Sequence, residues 1–232
     1  MPCHPTRSPA GSTGLPSELT FGSFLVYSPR GSGETSVRSR GVVHSIKTDG
    51  AGPADERMIE YAVRRLVEAL EGNAACLGPL FRPRPLLVPM PPSAPVLPGG
   101  LWVPRRICEA LVARGLGARV APLLARRYAI PKSAYAARGE RPTVKVHRDS
   151  LEVRGARALS AEPILLVDDV VTKGAAIMGA AEAISTAMPA CEITAFALVR
   201  TMGLVADIEN LVEPCVGTIR TSGTGGEVRR EP

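Results

Sequence analysis

Paired cysteines are missing from this chain. Its five cysteines, at positions 3, 76, 108, 191 and 215, are scattered, odd in number and never spaced as CxxC. That pattern argues against a zinc ribbon or a disulfide framework and fits a reducing, cytoplasmic setting. Long apolar runs are missing too, since no window approaches the roughly 18 consecutive apolar residues of a membrane span. No GxxxxGK followed by Ser or Thr occurs, which excludes a Walker A phosphate loop. Aromatic residues make up only 4% of the chain, and Trp102 is the single tryptophan, a packing residue rather than a substrate platform. No internal repeat is visible. The start, MPCHPTRSPAGSTGLPSEL, lacks the apolar core of a signal peptide. Its Pro, Ser, Gly and Thr content reads as a poorly ordered leader over residues 1–20.

What is present is an ordinary globular composition. A length of 232 residues with 45% hydrophobic content predicts one α/β domain over 21–220, followed by a flexible tail over 221–232. A net charge of +6 and a pI of about 9.4 suit polyanions or phosphorylated small molecules as partners, although charge alone also aids solubility.

Along the chain, Phe21 to Tyr27 reads as a strand, SPRGSGETS as a loop and Gly41 to Lys47 as another strand. Met58, Ile59, Ala62, Val63, Leu66, Val67 and Leu70 fall at helical spacing, which predicts a helix between Asp55 and Glu71 with Gly72 placed to stop it. Pro85 to Val88 reads as a short strand running into MPPSAPVLPGG, where Pro and Gly break regular structure. A helix is expected over Val103 to Arg114. Strands are expected over Ala118 to Leu124, Ser150 to Val153, Ile193 to Val199 and Cys215 to Ile219. Between Arg126 and Arg148 lie seven Lys or Arg residues and one acid, Glu140, with little apolar periodicity, the pattern of a functional loop or a disordered insert.

One run joins these pieces to chemistry. In ILLVDDVVTKGAAI, Ile164 to Val167 form an uninterrupted apolar stretch, the mark of a strand covered on both faces. Asp168 and Asp169 end it, and Thr172, Lys173 and Gly174 lead into an alanine-rich helix from Ala175 to Met188. Ligands of open α/β sheets sit beyond the carboxyl ends of the strands, where this order puts the acids. Ionised carboxylates only accept hydrogen bonds, so a pair of them suits a vicinal diol. Both serve one ligand if the chain is already leaving the strand at the pair. The loop adds free N–H groups at a helix N-terminus, the Thr172 hydroxyl and the Lys173 ammonium, a setting for a phosphate. Gly174 permits close backbone approach. A receiver domain is the weaker reading, since its acid pair lies near the domain start. Simple helix capping by the acids is the other alternative.

VDDVVTKGAA, Val167 to Ala176, resembles the phosphoribosyl pyrophosphate signature of the type I phosphoribosyltransferases. IKTDG (Ile46 to Gly50), LLVPMPPS (Leu86 to Ser93) and ERPTVKVHRDSLEV, in that order, are similar to competence protein F-like and amidophosphoribosyltransferase-like proteins. The resemblance spans Ile46 to Arg200. It implies a twisted, largely parallel sheet with helices on both faces and a small hood from terminal segments, drawn from Phe21 to Lys47, from the tail after Arg200, or from both. It implies that Asp168 and Asp169 hold the ribose hydroxyls of phosphoribosyl pyrophosphate. By the same resemblance Thr172, Lys173, Gly174, Ala175 and Ala176 cradle its 5-phosphate, and Pro89, Met90, Pro91, Pro92 and Ser93 form the loop under the pyrophosphate. Mg²⁺ would be chelated mainly by the substrate, with Asp168 and Asp169 as its nearest protein groups. The implied reaction is transfer of phosphoribose to a nitrogen nucleophile with release of pyrophosphate. Family members usually carry a hydroxyl where this chain has Ala176, so one charge-assisted hydrogen bond, about 1.5–3 kcal/mol, is absent. The zinc ribbon of many competence protein F-like chains is absent as well.

A mobile cationic loop closing over departing pyrophosphate would stabilise its charge, and Lys132, Arg138, Arg141, Lys145 and His147 are its candidates. The alternatives are a solvated basic loop or contact with nucleic acid, for which Tyr128 and Tyr135 are weak stacking candidates. Arg105 and Arg106 read as surface arginines that could reach an anion, and His44 as structural or exposed. The rival functions are a non-catalytic sensor of phosphoribosyl pyrophosphate or nucleotides, and a nucleic-acid-binding accessory protein. A homodimer is compatible with either.

Overall fold

The computed structural model describes residues 15–131, 141–155, 162–203, 205, 207–222 and 227–232. Its main strands are β1 (Glu18–Tyr27), β2 (Leu86–Pro89), β3 (Arg119–Val120), β6 (Ile164–Val171), β7 (Ile193–Thr201), β8 (Val212–Ser222) and β9 (Glu227–Glu231). They form a seven-stranded sheet in the order β3-β2-β6-β7-β1-β8-β9. The run from β3 to β1 is parallel, and β8 and β9 add an antiparallel hairpin at the β1 side. A separate antiparallel pair joins β4 (Leu124–Arg126) to β5 (Leu151–Val153).

Helices cover both faces of the sheet. On one side α1 (Glu34–Thr48), α2 (Met58–Leu70) and α3 (Val103–Ala113) share a core with Leu165, Val167, Phe196 and Leu198. On the other, α4 (Val144–Asp149) and α5 (Ala175–Ala187) pack over Ile164, Leu166, Ala195 and Ala197. Burial on both faces explains the unbroken apolar runs of β6 and β7. α4 lies so close to α5 that a Cβ at Gly179 would meet the His147 Cβ and the Val144 carbonyl at 2.8 Å each. Among the described residues no helix is long and apolar enough to cross a membrane.

Several expectations are corrected. Gly41 to Lys47 is not a strand but the second half of α1, which also takes in Glu34 to Ser36 of the expected loop. Its buried residues, Ser36, Ser39, Val43 and Ile46, keep helical spacing, but hydroxyls stand where apolar side chains would have revealed it. Ser39 donates to the Ser36 carbonyl at 2.7 Å, which satisfies a polar group inside the core. Phe21 to Lys47 forms no hood: Phe21 to Tyr27 lies within β1, inside the sheet between β7 and β8. The leader ends earlier than residue 20, because β1 begins at Glu18. The tail carries the end of β8 and all of β9. Ala118 to Leu124 contributes only the two residues of β3 before the chain turns into β4. The basic stretch ends in α4, which Thr143 caps by accepting from the Val146 N–H at 3.3 Å.

Candidate functional site

β2 and β6 are neighbours, and their register pairs Pro89 with Val167. The Met90 N–H donates to the Val167 carbonyl at 2.8 Å. The two loops singled out in the sequence therefore leave the carboxyl edge of the sheet side by side. Met90 and Pro91 are buried, while Pro92 and Ser93 are half-buried. This turn is fastened from outside: Trp102 Nε1 donates to the Met90 carbonyl at 2.7 Å, and the Ile130 N–H donates to the Ser93 carbonyl at 2.8 Å. Trp102, half-buried, thus anchors the loop through its indole N–H.

The acid pair does not sit where the strand ends. β6 continues through Val170 and Val171, which pair with Val199 and Arg200 of β7. The expectation that the chain is leaving the strand at the pair fails because the β-branched valines prolong the parallel ladder. The carboxylates are brought together in another way. Leu165 and Val167 face α1–α3 and Leu166 faces α5, but Val170 packs with the first group and Val171 with the second. Side-chain alternation therefore slips by one residue at the pair. Each carboxylate is turned by the following amide: the Asp169 N–H donates to Asp168 Oδ1 at 2.9 Å, and the Val170 N–H donates to Asp169 Oδ1 at 2.8 Å.

Burial pushes the Asp168 carboxyl well above the usual range, and the neighbouring Asp169 charge adds to that effect while Lys47 opposes it. Lys47, on the last turn of α1, donates to Asp169 Oδ2 at 2.8 Å. Its ammonium is raised, because the two carboxylates outweigh a desolvation that by itself would lower it. From the opposite side comes Arg126 of β4, only 7% exposed. Burial lowers its guanidinium, and the Asp168 charge partly offsets this. Arg126 Nε donates to the Pro92 carbonyl at 3.1 Å, and its Nη1 donates to Ser150 Oγ and to the His147 carbonyl. One guanidinium thus ties the loop after β2 to the turn between α4 and β5.

The loop after β6 is short. Thr172 and Lys173 are exposed, Gly174 is buried, and Ala175 opens α5. Gly174 is the N-cap of α5 with φ 95 and ψ 7, and no side chain caps the helix. A left-handed residue there is natural only for glycine. The first amides of α5 keep the free donors that suit an anion. Ala175 and Ala176 are half-buried and pack on the apolar core beneath α5.

Of the loop cations, Lys132 and Arg138 lie outside the described residues, as does Tyr135. Arg141 is exposed just ahead of α4. Lys145 is on α4, where it pairs with Asp149 one turn along, so it belongs to a packed helix rather than to a mobile loop. His147 is no loop cation. It is 5% exposed, its Nδ1 has no partner among the described residues, and burial with the Arg126 charge holds its pKa down at about 4. Arg105 pairs with Glu109 at 3.0 Å, and Arg106 with Glu109 at 3.0 Å and the buried Asp49 at 3.5 Å, which makes both structural. Lys47 and Arg126 are the residues that sequence reasoning missed. Lys47 sat in a stretch read as a strand, and Arg126 was one of seven cations with no pattern to single it out.

Among the described residues no three His, Cys, Asp or Glu side chains converge as a metal cluster. A divalent ion would find only Asp168 and Asp169, with Lys47 already on the second of these. That donor set fits an ion carried in by an anionic ligand, not one held by the protein alone. No family model matches the chain and no curated protein matches it.

Proposed function

We infer that the chain is a phosphoribosyltransferase of the type I fold, which transfers phosphoribose from phosphoribosyl pyrophosphate to a nitrogen nucleophile and releases pyrophosphate. One observation carries the reading: an acid pair, an uncapped helix N-terminus and a proline-rich turn share the carboxyl edge of two adjacent parallel strands. A sugar phosphate needs acceptors for its hydroxyls and donors for its phosphate within one ligand's length, and this edge offers both.

In this reading Asp168 and Asp169 accept from the ribose hydroxyls. The first amides of α5 and the Thr172 hydroxyl donate to the 5-phosphate. The turn from Pro89 to Ser93, braced by Trp102 and Arg126, supports the pyrophosphate. Mg²⁺ resting against the acid pair would neutralise charge on the pyrophosphate. An ionised Asp168 is the stronger acceptor of a hydroxyl hydrogen bond, so cationic groups beside the pair favour binding. The chain works by positioning and by charge rather than by covalent participation.

A Mg²⁺-dependent pyrophosphate-release assay across purines, pyrimidines and amines tests the activity. Replacing Asp168 and Asp169 together by Asn should abolish phosphoribosyl pyrophosphate binding in calorimetry while the circular dichroism stays unchanged; retained affinity would sink the reading. Ala176, whose methyl packs on the core in place of a hydroxyl, favours a second reading, a sensor that binds the same ligand without turnover. Tight binding with no pyrophosphate released for any acceptor would select it.

A further inference from the structure

We propose that Lys47 is the internal counter-ion of the acid pair, a positioning residue that holds the Asp169 carboxylate beside Asp168 and lets an anionic sugar phosphate approach two carboxylates. The proposal rests on reading the pair as a diol site, and the accounting of its four oxygens carries it. Asp168 Oδ1 receives the Asp169 N–H, Asp169 Oδ1 receives the Val170 N–H, and Asp169 Oδ2 receives Lys47 Nζ at 2.8 Å. The two carboxylates also lie within hydrogen-bonding range of each other, which favours a proton on Asp168. A carboxylate oxygen accepts more than one hydrogen bond, so Lys47 and a ligand hydroxyl can share Asp169 Oδ2 without displacing one another.

The contact is long-range and specific. It joins residues 122 apart in the chain, from the end of α1 to the C-terminal part of β6. Surface ion pairs are usually worth little, but here the Asp169 side chain is only 16% exposed while that of Lys47 is 50% exposed. The ammonium therefore sits at the rim with its partner beneath it, where a ligand reaches both. The charged and titratable groups around the pair come from four elements: Asp168 and Asp169 of β6, Lys47 of α1, Tyr27 of β1, which faces Lys47, and Arg126 of β4. Two carboxylates face two cations, one on each side of the sheet. Removing Lys47 strips away the cation that offsets the Asp169 carboxylate, which makes the site less favourable to a polyanion.

The test uses the full chain with Lys47→Met and Lys47→Arg. Crystal structures of the variants read the pairing without any ligand. In Lys47→Met the Asp169 carboxylate should turn away from Asp168, and in Lys47→Arg it should keep its wild-type position. Calorimetry with phosphoribosyl pyrophosphate and Mg²⁺ should show about a tenfold or greater loss of affinity in Lys47→Met, the size of one lost charge-assisted contact, and near-native affinity in Lys47→Arg. An unmoved Asp169 carboxylate in a folded Lys47→Met overturns the proposal, even if the ligand binds. If wild type ignores the ligand but Lys47→Met still moves the carboxylate, the counter-ion role is supported and the sugar-phosphate reading fails.

Discussion

Gly174→Ala isolates what the loop after β6 requires. The position combines φ +95 with a close neighbour: a Cβ there would lie 2.7 Å from Ile219 Cδ1, 2.8 Å from Cγ2 and 2.9 Å from Cγ1. Holding an L residue in left-handed backbone costs roughly 1–2 kcal/mol. Forcing a methyl against the buried Ile219 adds about 1–3 kcal/mol. Restricting the unfolded chain returns about 0.4–1 kcal/mol, which leaves a net loss of about 1–5 kcal/mol. With a urea m-value near 3 kcal/mol/M for a domain of this size, the midpoint should fall by about 1 M. Part of the loss is steric and has a named partner. Ile219→Ala alone should cost about 2–5 kcal/mol, and in the double variant the two losses should fall short of their sum by about 1–3 kcal/mol. Urea titrations of the four proteins complete the cycle. A native midpoint for Gly174→Ala refutes the backbone argument, and strictly additive losses refute the contact with Ile219 of β8.

Two further perturbations probe the surroundings of the site. His147 is held neutral at about 4, below its unfolded value near 6.5, so the unfolded chain binds the extra proton between those limits. Stability should be full above about pH 6.5 and fall by roughly 3 kcal/mol as the pH drops towards 4; a His147→Leu variant should lose that part of the slope, measured by thermal melts across the range. Arg126→Met leaves the Pro92 carbonyl without its guanidinium donor, while the His147 carbonyl keeps the Ser150 hydroxyl, which should cost about 1–3 kcal/mol for the one orphaned group. Arg126→Lys should recover part of that stability in urea titrations, because the charge beside Asp168 returns without the fork; equal losses in both variants would show that charge plays no part.

The legible parts of the chain were those where one residue pattern has one physical solution. The α2 stripe from Ile59 to Leu66 and the apolar runs of β6 and β7 pointed to a two-sided α/β sheet, because unbroken runs belong to strands buried on both faces. α1 was illegible because Ser36 and Ser39 occupy its buried stripe. β9 was illegible because an edge strand of Glu227, Val228, Arg229, Arg230 and Glu231 has the composition of a solvated tail, which charged edges commonly share. The length of β6 was misjudged since carboxylates rarely continue a strand, yet a local slip in alternation and two backbone donors accommodate them here.

By itself the sequence determined the class of fold and the order of parts along one edge: a buried strand, two acids, a short loop with Gly174, and a helix start. Local pattern suffices for these because each follows from neighbours within a few residues. Only the tertiary structure decided which cations face the acids. Lys47 arrives from a helix 122 residues away in the chain and Arg126 from a strand outside the main sheet. The basic stretch read as one loop is divided between exposed Arg141, helical Lys145 and the buried, neutral His147. Charge pairing depends on distance and burial, and those are set by how the layers close over one another rather than by spacing along the chain.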